Sequence, residues 1–238
     1  MTTVVLDDIS FSHAGGARLF EHLHLTIGAE RVGFIGPNGS GKTTLFHIIM
    51  GLLQPHGGQV LLDGTAVTSA EGWRQLRRHI GFLFQDADDQ LFSPTVLEDV
   101  AFGPLNMGCD GPTARCQALA TLADLGLADC AGRITHQLSG GEKKLVALAT
   151  ILVMKPDILL LDEPTNNLDP ATRQRLAAIL ARLNLPMVII SHDFDFLAKS
   201  TDVIYSLDHG HLHKSASIHL HTHPHAHVYG DHPHDHGG

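Results

Sequence analysis

Gly36-Pro37-Asn38-Gly39-Ser40-Gly41-Lys42-Thr43 reads G-x-x-x-x-G-K-[ST], and the rest of the chain is placed by it. Glycines let backbone N–H groups converge on phosphate oxygens without a Cβ in the way. Lys42 supplies a cation for the β- and γ-phosphates of a nucleotide, and Thr43 a hydroxyl ligand for Mg²⁺. The flanks agree. Arg31 to Ile35 is a short, mostly apolar run, as a buried parallel strand should be. Thr44 to Met50 predicts a helix that stops at Gly51. Strand, loop and helix N-terminus, in that order, are the setting this motif requires.

Composition bounds the remainder. The chain has 238 residues, 43% hydrophobic and 17% charged, enough for one large domain with appended parts. A net charge of −9, only 16 Lys and Arg, and few aromatics argue against a nucleic-acid binder that works by charge or base stacking. Cys109, Cys116 and Cys130 form no C-x-x-C pair and are expected to be free, small packing residues in a reducing compartment. The N-terminus lacks a basic, apolar leader pattern, and no run approaches the roughly 18 apolar residues of a membrane span. Any membrane role is therefore expected to come through a partner.

Residues 3–27 alternate with a period of two around a turn at Gly15-Gly16, and Gln59 to Gly64 is another short strand, predicting a small antiparallel sheet. Glu71 to His79 predicts a helix and Ile80 to Phe84 a strand that ends at Gln85, where a polar loop can face a ligand. Residues 95–135 predict several helices, broken by Pro104 and Pro112, with Leu119, Leu122, Ala123 and Leu125 on an apolar face. Ser139 and Glu142, three apart, form a capping-box pattern before a helix running to Met154. Ser139, Gly140 and Gly141 at that helix N-terminus make a second anion site.

Ile158 to Leu161 is a fully apolar run, hence a central strand, ending in Asp162-Glu163. A carboxylate at that tip suits Mg²⁺, and Glu163 is placed to accept a proton from water attacking a γ-phosphate. A turn through Asp169 leads into a helix from Ala171 to Leu183. Met187 to Ile190 is a buried strand ending at Ser191-His192-Asp193, where His192 can donate to the γ-phosphate. Val203 to Leu207 is a last strand.

Taken together these pieces resemble an ABC-type ATPase subunit over about residues 3–210: Walker A at 36–43, the Q-loop at Gln85, the signature at 138–142, Walker B at 158–162, the catalytic Glu163, the D-loop at 167–169 and the switch His192. The resemblance implies an α/β P-loop NTPase. Its RecA-like parallel-sheet core carries a small N-terminal antiparallel β subdomain and an α-helical subdomain inserted at about 86–150. The ATPase domain would span 1–210. It also implies that Gly36, Pro37, Asn38, Gly39, Ser40, Gly41, Lys42, Thr43 and Thr44 hold ATP, and that Thr43, Gln85 and Asp162 hold Mg²⁺. Two copies would pair head to tail, so that Ser139, Gly140, Gly141, Glu142 and Asp169 meet the partner's nucleotide. Two positions depart from the family pattern. His13 stands where an aromatic often stacks on adenine, and Glu142 where Gln is commonest.

Gln85 to Phe92, followed by Val100 to Asn106, resembles the energy-coupling-factor group more narrowly. That implies a peripheral subunit on the cytoplasmic face of the cell membrane, docked on a transmembrane scaffold subunit beside a substrate-binding membrane subunit. Eleven of the 19 histidines lie from His209 onward. In residues 211–238, His219, His221, His223, His225 and His227 recur every two residues, an array whose imidazoles suit Ni²⁺, Co²⁺, Zn²⁺ or Cu²⁺, with nickel or cobalt the expected ion. A purification tag and a passive solubilising tail are the plain alternatives. Other readings remain for the whole chain: an importer of a vitamin or another metal, a soluble ABC ATPase outside transport, and a metal-storage protein with secondary ATPase activity.

Overall fold

The computed structural model describes residues 1–13, 15–16, 18–208 and 210–214. The expected metal-binding histidines at 219–227 lie outside the described residues. The chain begins with strands β1 (Val4–Ser12) and β2 (Arg18–Ile27), followed by β3 (Arg31–Ile35), helix α1 (Lys42–Ile49), β4 (Gly57–Leu62) and β5 (Thr65–Ala66). Then come α2 (Ala70–His79), β6 (Ile80–Leu83), α3 (Val96–Asn106), α4 (Gly111–Asp124) and α5 (Gly140–Leu152). The C-terminal part adds β7 (Ile158–Asp162), α6 (Pro170–Arg182), β8 (Met187–Ile190), α7 (Phe194–Ser200), β9 (Val203–Asp208) and β10 (His211–Lys214).

Two sheets result. One is antiparallel, in the order β2-β1-β4-β5; the other has six strands, in the order β10-β9-β3-β8-β7-β6. In the second sheet β6, β7, β8, β3 and β9 run parallel, and β10 pairs antiparallel at the edge. Alternation along its strands sends neighbouring residues to opposite faces. Leu159, Leu161, Met187 and Ile189 pack with the helices α3 to α6. Ile158, Leu160, Val188 and Ile190 pack with α1 and the antiparallel sheet. Both faces are covered, so β7 and β8 are buried at every position. The α/β layering expected from the sequence is therefore present.

The helical part differs from expectation in ways that packing explains. Pro104 does not break a helix; it sits in the last turns of α3, while Pro112 lies in the first turn of α4, where its missing N–H costs nothing. The buried stripe of α4 is Ala114, Ala118 and Leu122. Leu119 and Ala123, assigned to the apolar face from their spacing, are exposed. Helix α5 ends at Leu152 rather than Met154. Cys116 is exposed, whereas Cys109 and Cys130 pack against the helical core as expected, and all three are free. The C-terminal boundary also moves: His211–Lys214 belongs to the sheet as β10, four residues into the segment read as tail.

Candidate nucleotide site

The loop between β3 and α1 has a backbone that only glycine adopts without strain. Gly36 has φ +148°, and a Cβ there would stand 2.4 Å from the carbonyl oxygen of Leu207. Gly41 has φ +101°, and a Cβ would meet the Phe20 ring at 2.7 Å and Leu19 at 2.9 Å. Gly41 caps α1 without a side-chain hydrogen bond, which leaves the first-turn N–H groups to an anion. The buried Lys42 ammonium donates to the carbonyls of Gly36 (2.8 Å) and Pro37 (3.0 Å). Burial pushes its pKa down, against the pull of Glu163 and Asp162.

Across from the loop, β7 delivers Asp162, which is 1% exposed. Burial raises its carboxyl above the ordinary range, while a hydrogen bond from Thr43 and the nearby His47, Lys144 and Lys42 act the other way. Glu163 follows with φ +44°, a left-handed conformation that is costly for a residue with a side chain. Its N–H donates to the carbonyl of Ile190 (2.9 Å), so the bend is tied to β8. Its Oε2 accepts from the His192 N–H (3.4 Å), and His192 Nε2 lies 3.3 Å from Oε1 without hydrogen-bond alignment. Burial raises Glu163 as well, with His192 opposing.

Among the described residues, three buried side-chain oxygens have no hydrogen-bond partner: Ser40 Oγ, Asp162 Oδ1 and Glu163 Oε1. Each such atom costs about 1–3 kcal/mol unless a ligand or water satisfies it. Hard oxygens of this kind, beside the Thr43 hydroxyl, are the donor set that Mg²⁺ takes. The residues present therefore fit a magnesium nucleotide.

One cleft of 610 Å³ collects His13, Asn38, Gly39, Gly41, Lys42, Thr43, Thr44, Gln85, Asp162, Glu163 and His192. Eleven separately read positions are thus brought together, with Leu19, Asn166 and Ile190 beside them. His13 lies edge-on to Phe11, with its Nε2 3.5 Å from Thr44 Oγ1. The expected signature residues are not in this cleft. Gly140 lines a neighbouring one of 520 Å³ that also touches Thr43, Gln85 and Asp162. Ser139 and Glu142 close the capping box of α5: Ser139 Oγ accepts from the Glu142 N–H (3.2 Å) and Glu142 Oε2 from the Ser139 N–H (2.8 Å). A Cβ on Gly141 would press on Thr172 at 2.9 Å, so this glycine serves the approach of α5 to α6. Asp169 is not brought to the nucleotide cleft either. Its carboxylate caps α6, accepting from the N–H groups of Ala171 and Thr172 and from the Thr172 hydroxyl.

The sequence reading passed over Lys144 and Gln90. Lys144, 4% exposed on α5, donates to the carbonyls of Gln85 (2.6 Å) and Phe84 (3.3 Å). Gln90 accepts from the Phe84 N–H (3.2 Å) and donates to Ala147 O and Thr150 Oγ1, both at 2.9 Å. Together they fasten the strand end that carries Gln85 to the helix that carries the signature. The only sequence signal was a lysine one residue before the apolar stripe of α5.

The ABC transporter family model matches residues 20–166, more than half of the chain. The chain belongs to the ABC transporter family. An ABC transporter ATP-binding protein of Nitratidesulfovibrio vulgaris, named so provisionally, is 55% identical over 212 residues, 86% of this chain and 76% of that protein. The energy-coupling factor transporter ATP-binding protein EcfA of Methanothermobacter thermautotrophicus is 41% identical over 214 residues, 88% of this chain and 69% of that one. The cobalt import ATP-binding protein CbiO of Rhodobacter capsulatus is 42% identical over 199 residues, 82% and 71% of the two chains. Among solved structures, CbiO1 of Clostridium perfringens, part of the transporter complex cbiONQ, superposes with a TM-score of 0.78 at 33% identity, covering 88% of this chain and 86% of that one. The ATP-binding cassette MJ0796, in a dimeric post-hydrolysis state with ADP and phosphate, gives 0.78 at 29% identity and covers 90% and 100%. The fold is that of an ABC ATPase, and the chain is an ABC-type ATPase subunit.

Proposed function

We propose that this ABC ATPase energises uptake of a transition-metal ion, nickel ahead of cobalt, through a membrane energy-coupling-factor transporter. The observation that carries the ATPase chemistry is the single cleft in which Lys42, Thr43, Gln85, Asp162, Glu163 and His192 converge. The loop N–H groups and Lys42 hold the phosphates. Thr43, Gln85 and Asp162 would hold Mg²⁺, which would supply positive charge to offset that of the phosphates. Glu163 orients and deprotonates the attacking water, and His192, beside it, reads the γ-phosphate.

Ser139, Gly141 and Glu142 lie outside the chain's own nucleotide cleft. That supports a second copy as the owner of the nucleotide they meet, as does the dimeric relative. ATP then clasps two copies head to tail, and hydrolysis releases them. Among the described residues no helix is long and apolar enough to cross a membrane. Phe92 and Phe102 are exposed and stacked edge-to-face at 4.7 Å, with exposed Leu105 and Met107 on the same helical region. This apolar patch, which begins seven residues beyond Gln85 along the chain, is where a coupling segment of the transmembrane scaffold would dock.

The transport class rests on the relatives named for energy coupling and cobalt import. The preference for nickel rests on the alternating His219, His221, His223, His225 and His227, which we assign to a metal-buffering tail. Two measurements test the reading. Glu163→Gln is expected to lower turnover by about 100-fold or more while ATP binding and ATP-driven pairing persist; undiminished hydrolysis removes Glu163 from its role. Radiometal uptake by cells carrying this subunit and its membrane partners is expected to favour nickel over cobalt. Uptake of neither removes the metal importer.

A further inference from the structure

We propose that Arg133 is a positioning residue for the signature: it neutralises Glu142 and so keeps the N-terminus of α5 attractive to the nucleotide phosphates of a second copy. This rests on the two-copy reading above. The problem it solves is visible in the local charges. A carboxylate in the first turn of a helix suits that helix, because the N-terminus carries partial positive charge. The same carboxylate consumes the charge that a phosphate would use and sets like charge beside it.

Both oxygens of Glu142 are occupied. Oε2 accepts from the Ser139 N–H (2.8 Å), and Oε1 is paired with the Arg133 guanidinium. The two lysines that follow it are committed elsewhere. The Lys143 ammonium lies 2.6 Å from Asp88 Oδ1, and Lys144 turns under to the carbonyls of Gln85 and Phe84. Among the described residues, Arg133 is the cation paired with Glu142.

Arg133 is also pre-placed. Its carbonyl accepts from the Val96 N–H (3.1 Å) and its own N–H donates to the Cys130 carbonyl (2.9 Å). The neighbouring Ile134 bridges to Thr95, and the Thr135 hydroxyl donates to buried Asp99 (3.0 Å). The short segment before the signature is thus moored to the N-terminus of α3. From there Arg133 holds the Glu142 carboxylate in one orientation. Both partners are partly exposed, at 43% and 32% of their side chains, so the pair adds little to folding. Its removal is a test of charge at the signature rather than of stability.

The test is a double-mutant cycle on the full chain: wild type, Arg133→Gln, Glu142→Gln and the double variant. ATP is titrated against hydrolysis and, in a Glu163→Gln background, against pairing by sedimentation. Arg133→Gln alone is expected to raise both ATP midpoints about fivefold or more. In the Glu142→Gln background the same Arg133 substitution is expected to shift them by less than about twofold. Arg133→Lys, which keeps the charge, is expected to lose less than Arg133→Gln. Thermal melts of all variants show whether folding is intact; if Arg133→Gln melts out, the Lys variant and the cycle built on it carry the test. A wild type that pairs with ATP, together with an unaffected Arg133→Gln or an equal Arg133 effect in both backgrounds, overturns this proposal alone. A wild type that neither pairs nor hydrolyses ATP overturns the two-copy reading and the proposal with it.

Discussion

Lys144 shows how much a single buried side chain decides. The residue is 4% exposed, and burial pushes its pKa down, with Asp86, Asp162 and Glu163 opposing. Burying an ammonium is expensive unless every donor is used; here two of its donors go to the backbone carbonyls of Gln85 and Phe84. Replacing it with methionine removes a desolvated charge and leaves two carbonyls unpaired. These effects oppose one another at about 1–3 kcal/mol each, so stability is expected to change little. Positioning is different. Gln85, proposed above as a Mg²⁺ ligand, loses the anchor of its own carbonyl, and a misplaced ligand costs on the order of tenfold or more in rate. Lys144→Met is therefore expected to raise the Mg²⁺ concentration for half-maximal ATPase activity while the melting temperature barely moves. A variant that melts early with normal Mg²⁺ dependence would make Lys144 a packing residue only. None of this was legible beforehand, since Lys143 and Lys144 look alike in sequence and only one faces inward.

At the scale of elements, capping residues fix where helices begin, and their charges give the fold an acid limit. Asp110 caps α4 and Asp169 caps α6, each through its neighbouring threonine. Hydrogen bonds from Thr113 and Thr172 hold these two carboxyls below the usual aspartate range. A depressed folded pKa means stability that is present above the unfolded value, about 3.9, and is lost as pH falls through the folded value. Asp110→Asn with Asp169→Asn keeps neutral caps that do not titrate. The variant is expected to lose less stability than wild type between about pH 4 and pH 2, by urea unfolding at each pH. Parallel pH profiles would remove the caps from the acid limit. The same caps explain what could be read early. Ser139 with Glu142 marked the start of α5, because a capping box is a local device. The inward face of α4 could not be read, because Leu119 and Leu122 are equally apolar and only the neighbouring helices choose between them.

For the whole molecule, the parallel sheet sets the tips of β3, β6, β7 and β8 at one edge, and the nucleotide cleft forms there. The exposed Phe92 and Phe102 of the helical part do not line that cleft. Phe92→Glu with Phe102→Glu is expected to leave the ATPase activity of the isolated chain within about twofold and to abolish assembly with the membrane subunits. Co-purification with those subunits checks it, and intact assembly would move the docking surface elsewhere. The sequence by itself determined the phosphate loop, the buried strands, the carboxylates at the end of β7 and the family, because each depends on residues adjacent along the chain or on periods of two. Only the tertiary structure decided that Gln85 is fastened to the signature helix by Lys144 and Gln90, that Asp169 spends its carboxylate on a cap, that Arg133 faces Glu142, and that the sheet continues through Lys214. The first joins segments 59 residues apart; the others are short-range contacts, but which partner each side chain takes is fixed by the packing around it.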